Sequence, residues 1–206
     1  MKALQIFLHT KYNVNKHYYD VALILLENPI EYTDFVRHLC LPIKSNTDPD
    51  ARKDTGTELV GYGQNSEWEK TKGILKTVKL IIFGKSYCNN KYDVYDGDAH
   101  HNGFAIRHVK EKLPNLFTSN VMCAGDVNGL VGSCFGDSGG PLMYFDSSKS
   151  RYVQLGISSG NIGGEGCASH RYPDIFTRVE DPEVFAFIKT TLNTPIENLV
   201  SRKYPI

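Results

Sequence analysis

The chain has 206 residues, with 23 basic and 23 acidic side chains and a formal net charge of zero. That balance leaves no electrostatic footprint for nucleic acid or an anionic membrane, and no run is long and apolar enough for a membrane-spanning helix. The length suits one or two compact units with a substantial core.

Residues 4–8 alternate weakly and predict a strand. The first eight residues are too short and too interrupted for a signal peptide, which taken alone points to the cytosol. His9 to Asn13 read as a turn. Residues 21–26 are an apolar run of strand length, with Asp20 at its head. Residues 45–57 are polar and turn-rich, so a surface loop; 64–73 read as a polar loop, and 75–82, which alternate in part, predict a strand. Residues 92–101 hold three acids and two histidines without an EF-hand pattern, so they read as a solvated insertion, and no metal or other cofactor is expected. Residues 153–158 and 175–179 predict strands flanking a Gly-rich loop at 160–166. Asp181 as cap and Pro182 at the first helical position start a helix, with Val184, Phe185 and Ile188 on its packing face. Many short strands and a single closing helix predict an all-β barrel protein.

Five cysteines are present: Cys40, Cys88, Cys123, Cys134 and Cys167. None has the spacing of a zinc site, and an odd number leaves one for another chain or as a free thiol.

The chemistry concentrates in Ser133-Cys134-Phe135-Gly136-Asp137-Ser138-Gly139-Gly140-Pro141. Glycines let a substrate carbonyl approach the backbone, and the N–H groups of Gly136 and Ser138 can then face a developing oxyanion. Ser138 so placed reads as a nucleophile that needs a base and an orienting acid. The bland alternative is a polar turn stapled by a disulfide.

The segment resembles the nucleophile loop of the chymotrypsin/trypsin family of serine peptidases. Further matches follow in the family's order: Tyr19-Asp20-Val21-Ala22-Leu23-Ile24, Leu39-Cys40-Leu41-Pro42, Val121-Met122-Cys123-Ala124-Gly125 and Tyr172-Pro173-Asp174-Ile175-Phe176-Thr177-Arg178-Val179. The resemblance implies an all-β, trypsin-like double β-barrel whose first barrel is truncated to about two strands, with a C-terminal helix. It divides a single peptidase domain into a first-barrel remnant at about 1–45, a second barrel at about 55–180 and a helix at about 182–192, with the N-terminal third lacking. By the same resemblance Ser138 is the nucleophile, Asp20 the triad acid, and Gly136 with Ser138 the oxyanion hole. Gly132, Ser133, Asp174, Ser159 and Asn161 belong to the specificity pocket. Cys88 pairs with Cys123 and Cys134 with Cys167, while Cys40 is left for a light chain or pro-domain. Tyr144 stands where the family has a further bridging cysteine. The substrate is a protein or peptide, and the location is secreted, as disulfides require. The look is closest to arthropod clip-domain and complement-type cascade peptidases.

Gly132, six residues before Ser138, lacks the acid that trypsin-like members carry at the pocket floor. Asp174 stands where most relatives have a glycine of the pocket wall, so its carboxylate is expected in the same space, favouring arginine. The family's Ala-Ala-His-Cys base segment is missing: 19 residues precede Asp20 and none resembles it. The histidines His9, His17, His38, His100, His101, His108 and His170 sit in no recognisable base motif. The family's activation sequence, whose new amino terminus would pair with Asp137, is missing too. Two readings follow. One is a serine endopeptidase whose sequence lacks its N-terminal part and which is inactive without it. The other is a non-catalytic homologue acting as a binding or regulatory partner.

Overall fold

A computed structural model describes residues 1–13, 16–66, 68–71, 73–92, 100–101, 104–105, 116–160, 167–168 and 172–195. In chain order the elements are β1 (Ala3–Leu8), β2 (Ala22–Leu26), β3 (Gly56–Gly61), β4 (Lys76–Ile82), α1 (Lys85–Tyr92), β5 (His100–His101), β6 (Phe104–Ala105), β7 (Val121–Gly125), β8 (Pro141–Asp146), β9 (Arg151–Gly160), β10 (Asp174–Arg178) and α2 (Pro182–Leu192).

Six strands close a barrel in the order β10-β7-β4-β3-β8-β9, every pairing antiparallel. Closure leaves no sheet edge, so each backbone group of the ladder has a partner. Inward positions of the strands supply the core: Leu59, Leu80, Ile82, Met122, Leu142, Leu155 and Phe176 are buried. Gly156 lies in the middle of this core because nothing larger fits. A Cβ there would come within 2.8 Å of Met122 Cε and 3.2 Å of both Leu142 Cβ and Phe176 Cβ.

β1 and β2 form a separate two-stranded antiparallel sheet. Leu4, Leu8 and Ile24 on it are exposed. Its link to the barrel is a third cluster, in which Val21 meets Val179 and the helix residues Val184 and Ile188, with Tyr19, Leu41, Ile157 and Phe187 around them. His9 stacks on Tyr19 at 4.6 Å and meets Phe187 edge-on at 5.0 Å, while Lys11 pairs with Glu183. The α2 start follows the cap logic, since the Asp181 carboxylate accepts the N–H groups of Glu183 and Val184. Phe187, rather than the expected Phe185, joins Val184 and Ile188 on the packing face.

The structure has a second helix, correcting the expectation of one. α1 is polar overall and shows no apolar periodicity; only Cys88 and Tyr92, four residues apart on one face, are buried. A disulfide from Cys88 to Cys123 on β7 holds that face to the barrel. The stretch of acids and histidines at 92–101 lies mostly outside the described residues, as do His108 and His170; β5 and β6 pair as a short ribbon.

Replacing Gly156 with alanine is expected to lower stability by about 1–3 kcal/mol, because Met122, Leu142 and Phe176 must all shift. Urea unfolding measures this directly, and an unchanged midpoint would show that the core yields.

Candidate active site

The loop carrying Ser138 joins β7 to β8, and its shape is set by two glycines in the left-handed region, Gly136 at φ +95° and Gly139 at φ +81°. Such angles strain residues bearing a Cβ. The Asp137 N–H donates to the Cys134 carbonyl (3.0 Å) and the Gly140 N–H to the Asp137 carbonyl (2.8 Å), closing a tight turn. The Gly139 N–H donates to the Ser158 carbonyl (2.8 Å) and the Ser158 N–H to the Gly140 carbonyl (2.9 Å), stitching the turn to β9. Ser138 is exposed at its crest. Among the described residues, the backbone N–H groups of Gly136 and Ser138 donate to no acceptor, and the Ser138 hydroxyl makes no hydrogen bond.

The Asp137 side chain turns inward. It accepts the N–H of Gly63 (2.8 Å) and that of Cys134 (3.0 Å). Gly61 and Gly63 make this possible, since a Cβ on either would collide with the carboxylate. Asp137 also lines a cavity of about 230 Å³ shared with Gln64, Lys76, Leu130 and Val131. Lys76 Nζ donates to the Gly63 carbonyl and to Asn65 Oδ1. Gln64 Oε1 is buried with no hydrogen-bond partner among the described residues.

Asp20 is partly buried at the foot of β2. Its Oδ2 accepts the Ser159 hydroxyl (2.6 Å), and its backbone carbonyl accepts the Thr177 hydroxyl (2.8 Å). Ser159 Oγ lies 3.1 Å from His17 Nδ1, so His17, Ser159 and Asp20 form one chain of polar contacts. Burial lowers the His17 pKa, partly offset by the Asp20 charge. Both His17 and Tyr19 hold positive φ, 52° and 51°, as the backbone folds this histidine back toward β9. The serine and the aspartate singled out in the sequence therefore converge at the end of β9, through Ser158 and Ser159. The sequence gives no sign of His17: only three-dimensional proximity reveals it, because no motif surrounds it.

Asp174, on β10, is 3% exposed. Its Oδ2 accepts the Ser133 N–H at 2.6 Å. A Cβ on Gly132 would stand 2.8 Å from the same oxygen, so the carboxylate fills the space above Gly132. Burial pushes the Asp174 pKa up to about 6, against the hydrogen bonds from Ser133 and with help from the Asp137 charge. The wall behind it is fixed by the Tyr92 hydroxyl, which donates to the Pro173 carbonyl; Tyr92 is fully buried beside Phe117 and Tyr172. Tyr92 is a second residue that sequence reasoning misses, since it sits on the unanticipated α1. A disulfide joins Cys134 of the Ser138 loop to Cys167. Asn161 falls outside the described residues. Cys40 is a free, partly exposed thiol.

With this geometry in view, the trypsin family model matches residues 1–186. The chain belongs to the trypsin family. It is 29% identical over 175 residues to the clotting factor G beta subunit of Tachypleus tridentatus, spanning 85% of this chain and 51% of that protein. It is 28% identical over 176 residues to ovochymase of Halocynthia roretzi, spanning 85% of this chain and 10% of that one. This trypsin-family chain thus covers about half the length of the first relative and a tenth of the second.

Asp174 makes stability depend on pH. Its folded pKa of about 6 exceeds the ordinary carboxylate value, so the folded state holds the proton more firmly. The contribution favours folding below pH ~4 and is lost as pH rises through about 6. Asp174→Asn, which keeps an acceptor for the Ser133 N–H, is expected to gain about 2 kcal/mol relative to the parent between pH ~4.5 and ~7.5. Paired urea titrations at the two pH values check it; parallel shifts in both proteins would refute it.

Proposed function

We propose that this chain is the nucleophile-bearing and substrate-binding portion of a secreted serine endopeptidase that cleaves after arginine. The observation that carries the reading is the convergence at β9: the Ser138 turn is stitched to Ser158, and Ser159 bonds the Asp20 carboxylate. In this reading Ser138 Oγ attacks the scissile carbonyl, and the free N–H groups of Gly136 and Ser138 receive the oxyanion. The acyl-enzyme that forms is then hydrolysed by water. Asp20 orients and stabilises the base, a histidine that this chain lacks and that an upstream segment would supply to complete the first barrel around β1 and β2. The Asp137 carboxylate and the unpartnered Gln64 Oε1, facing the same cavity, are acceptors suited to an entering amino terminus.

Arginine preference rests on the position of Asp174. A buried carboxylate without a cation is costly, and a guanidinium paired with it offsets that cost. Residence outside the cytosol rests on the two disulfides. A disulfide-linked partner chain rests on the free thiol of Cys40. One observation favours the non-catalytic alternative: the Ser138 hydroxyl has no hydrogen-bonded base among the described residues.

Two measurements test the proposed reading. The 206-residue chain is expected to give no fluorophosphonate label at Ser138, since losing a triad member costs catalysis on the order of a million-fold in the subtilisin case. Labelling would overturn the assignment of an upstream base. Benzamidine, an amidinium probe, is expected to bind the chain at pH ~8, to bind at least about tenfold more weakly at pH ~5, and to be lost in Asp174→Gly. Equal binding by Asp174→Gly would remove Asp174 from specificity.

A further inference from the structure

Opposite the nucleophile loop, β8 and β9 form a hairpin. Alternate positions place Tyr144 and Asp146 on β8, and Arg151 and Val153 on β9, on one face. The segment that follows Cys40 lies along it: the Cys40 N–H donates to the Tyr152 carbonyl (3.1 Å), and the Gln154 N–H to the Cys40 carbonyl (2.9 Å). Between the segment and the hairpin is a cavity of about 200 Å³. Leu41, Pro42, Ile43 and Val153 make part of its lining apolar.

The rest of the lining is charged and unbalanced. Arg52 grips Glu180 at 2.6 Å and lies over the Tyr144 ring at 5.1 Å, so it is already committed. Lys149 pairs with Asp146 at 3.4 Å, and the Ser148 hydroxyl also donates to that carboxylate. Two lining cations, Lys44 and Arg151, have no ion-pair partner among the described residues. Arg151 Nε is buried and donates to nothing among the described residues. A buried donor left unmade is costly, and an oxyanion is its strongest acceptor.

We infer that this cavity binds a carboxylate side chain of a partner polypeptide, an aspartate or glutamate flanked by apolar residues. A volume of this size admits one side chain with its neighbour. Two unpaired cations suit a single carboxylate, whereas a sulfated glycan needs a longer cationic track. The free Cys40 thiol is one residue from the lining at Leu41, so a polypeptide bonded there would start beside the cavity. The choice of a polypeptide rests on that proposed partner; the anion site itself does not.

The test titrates the full chain with Ac-Ile-Glu-Ile-NH2, its glutamine analogue and a heparin hexasaccharide, read by calorimetry and by the Arg151 Nε–H resonance. The glutamate peptide is expected to bind and to shift that resonance, with the glutamine peptide at least about tenfold weaker, as loss of a charge-assisted hydrogen bond implies. Lys44→Gln/Arg151→Gln should weaken the glutamate peptide to a similar degree, and Arg151→Lys should recover part of it. Equal binding of the two peptides, a silent Arg151 resonance, or unchanged affinity in a folded double variant would overturn the site. Tighter binding of the hexasaccharide would overturn the choice of a peptide. The two peptides on the parent chain decide the matter even where a variant fails to fold. None of these outcomes touches benzamidine binding or Ser138 labelling, so failure here leaves the peptidase reading standing.

Discussion

The Asp137 carboxylate occupies the volume that Cβ atoms on Gly61 and Gly63 would need. Because it enters there, it reaches the Gly63 N–H and the Cys134 N–H together, tying the start of the Ser138 turn to the end of β3. The turn then has little freedom: Gly136 and Gly139 take up the left-handed angles, and β9 receives the far side through Ser158. Ser138 is left exposed, with its backbone N–H unengaged among the described residues. A single inward acid thus decides how the adjacent serine is displayed, which is why two glycines some seventy residues earlier in sequence belong to the site as much as the serine does.

The second organising strand is β9. Its inward side chains Val153 and Leu155 belong to the barrel core, while its last residues gather the polar groups. Ser159 takes the Asp20 carboxylate on one side and His17 on the other, drawing the small β1–β2 sheet onto the barrel. The apolar cluster of Val21, Val179, Val184 and Ile188 supplies the burial beneath that polar seam. The seam needs this support: a two-stranded sheet with exposed Leu4, Leu8 and Ile24 has little stability of its own.

Legibility in the sequence follows the density of chemical constraint. The Ser138 loop, the Asp181 cap and the strand after Asp20 are readable because each needs particular residues at fixed offsets. The barrel strands β4, β9 and β10 show in the sequence, β4 by partial alternation over 75–82 and the others at 153–158 and 175–179. Helix α1 does not, because one disulfide and one buried tyrosine hold it rather than an apolar stripe. His17 and Tyr92 are invisible for a related reason. Each gains its role from a partner far along the chain, 142 residues away for His17 and 81 for Tyr92, and no local pattern encodes such a contact.

The space around Gly132 shows how one charge could be placed from either of two segments, the β7–β8 loop or β10. A side chain at position 132 and a carboxylate from position 174 compete for the same space, since the Cβ at 132 would stand 2.8 Å from Asp174 Oδ2. The absence of a side chain at Gly132 is therefore a condition for the acid on β10, and the two positions form one steric unit. Approach from β10 has a consequence that approach from the loop would not. The carboxylate receives the Ser133 N–H from within the loop that leads to Ser138, and Tyr92 holds the carbonyl of the residue before it. β10, the Ser138 loop and the end of α1 are thus joined by two hydrogen bonds.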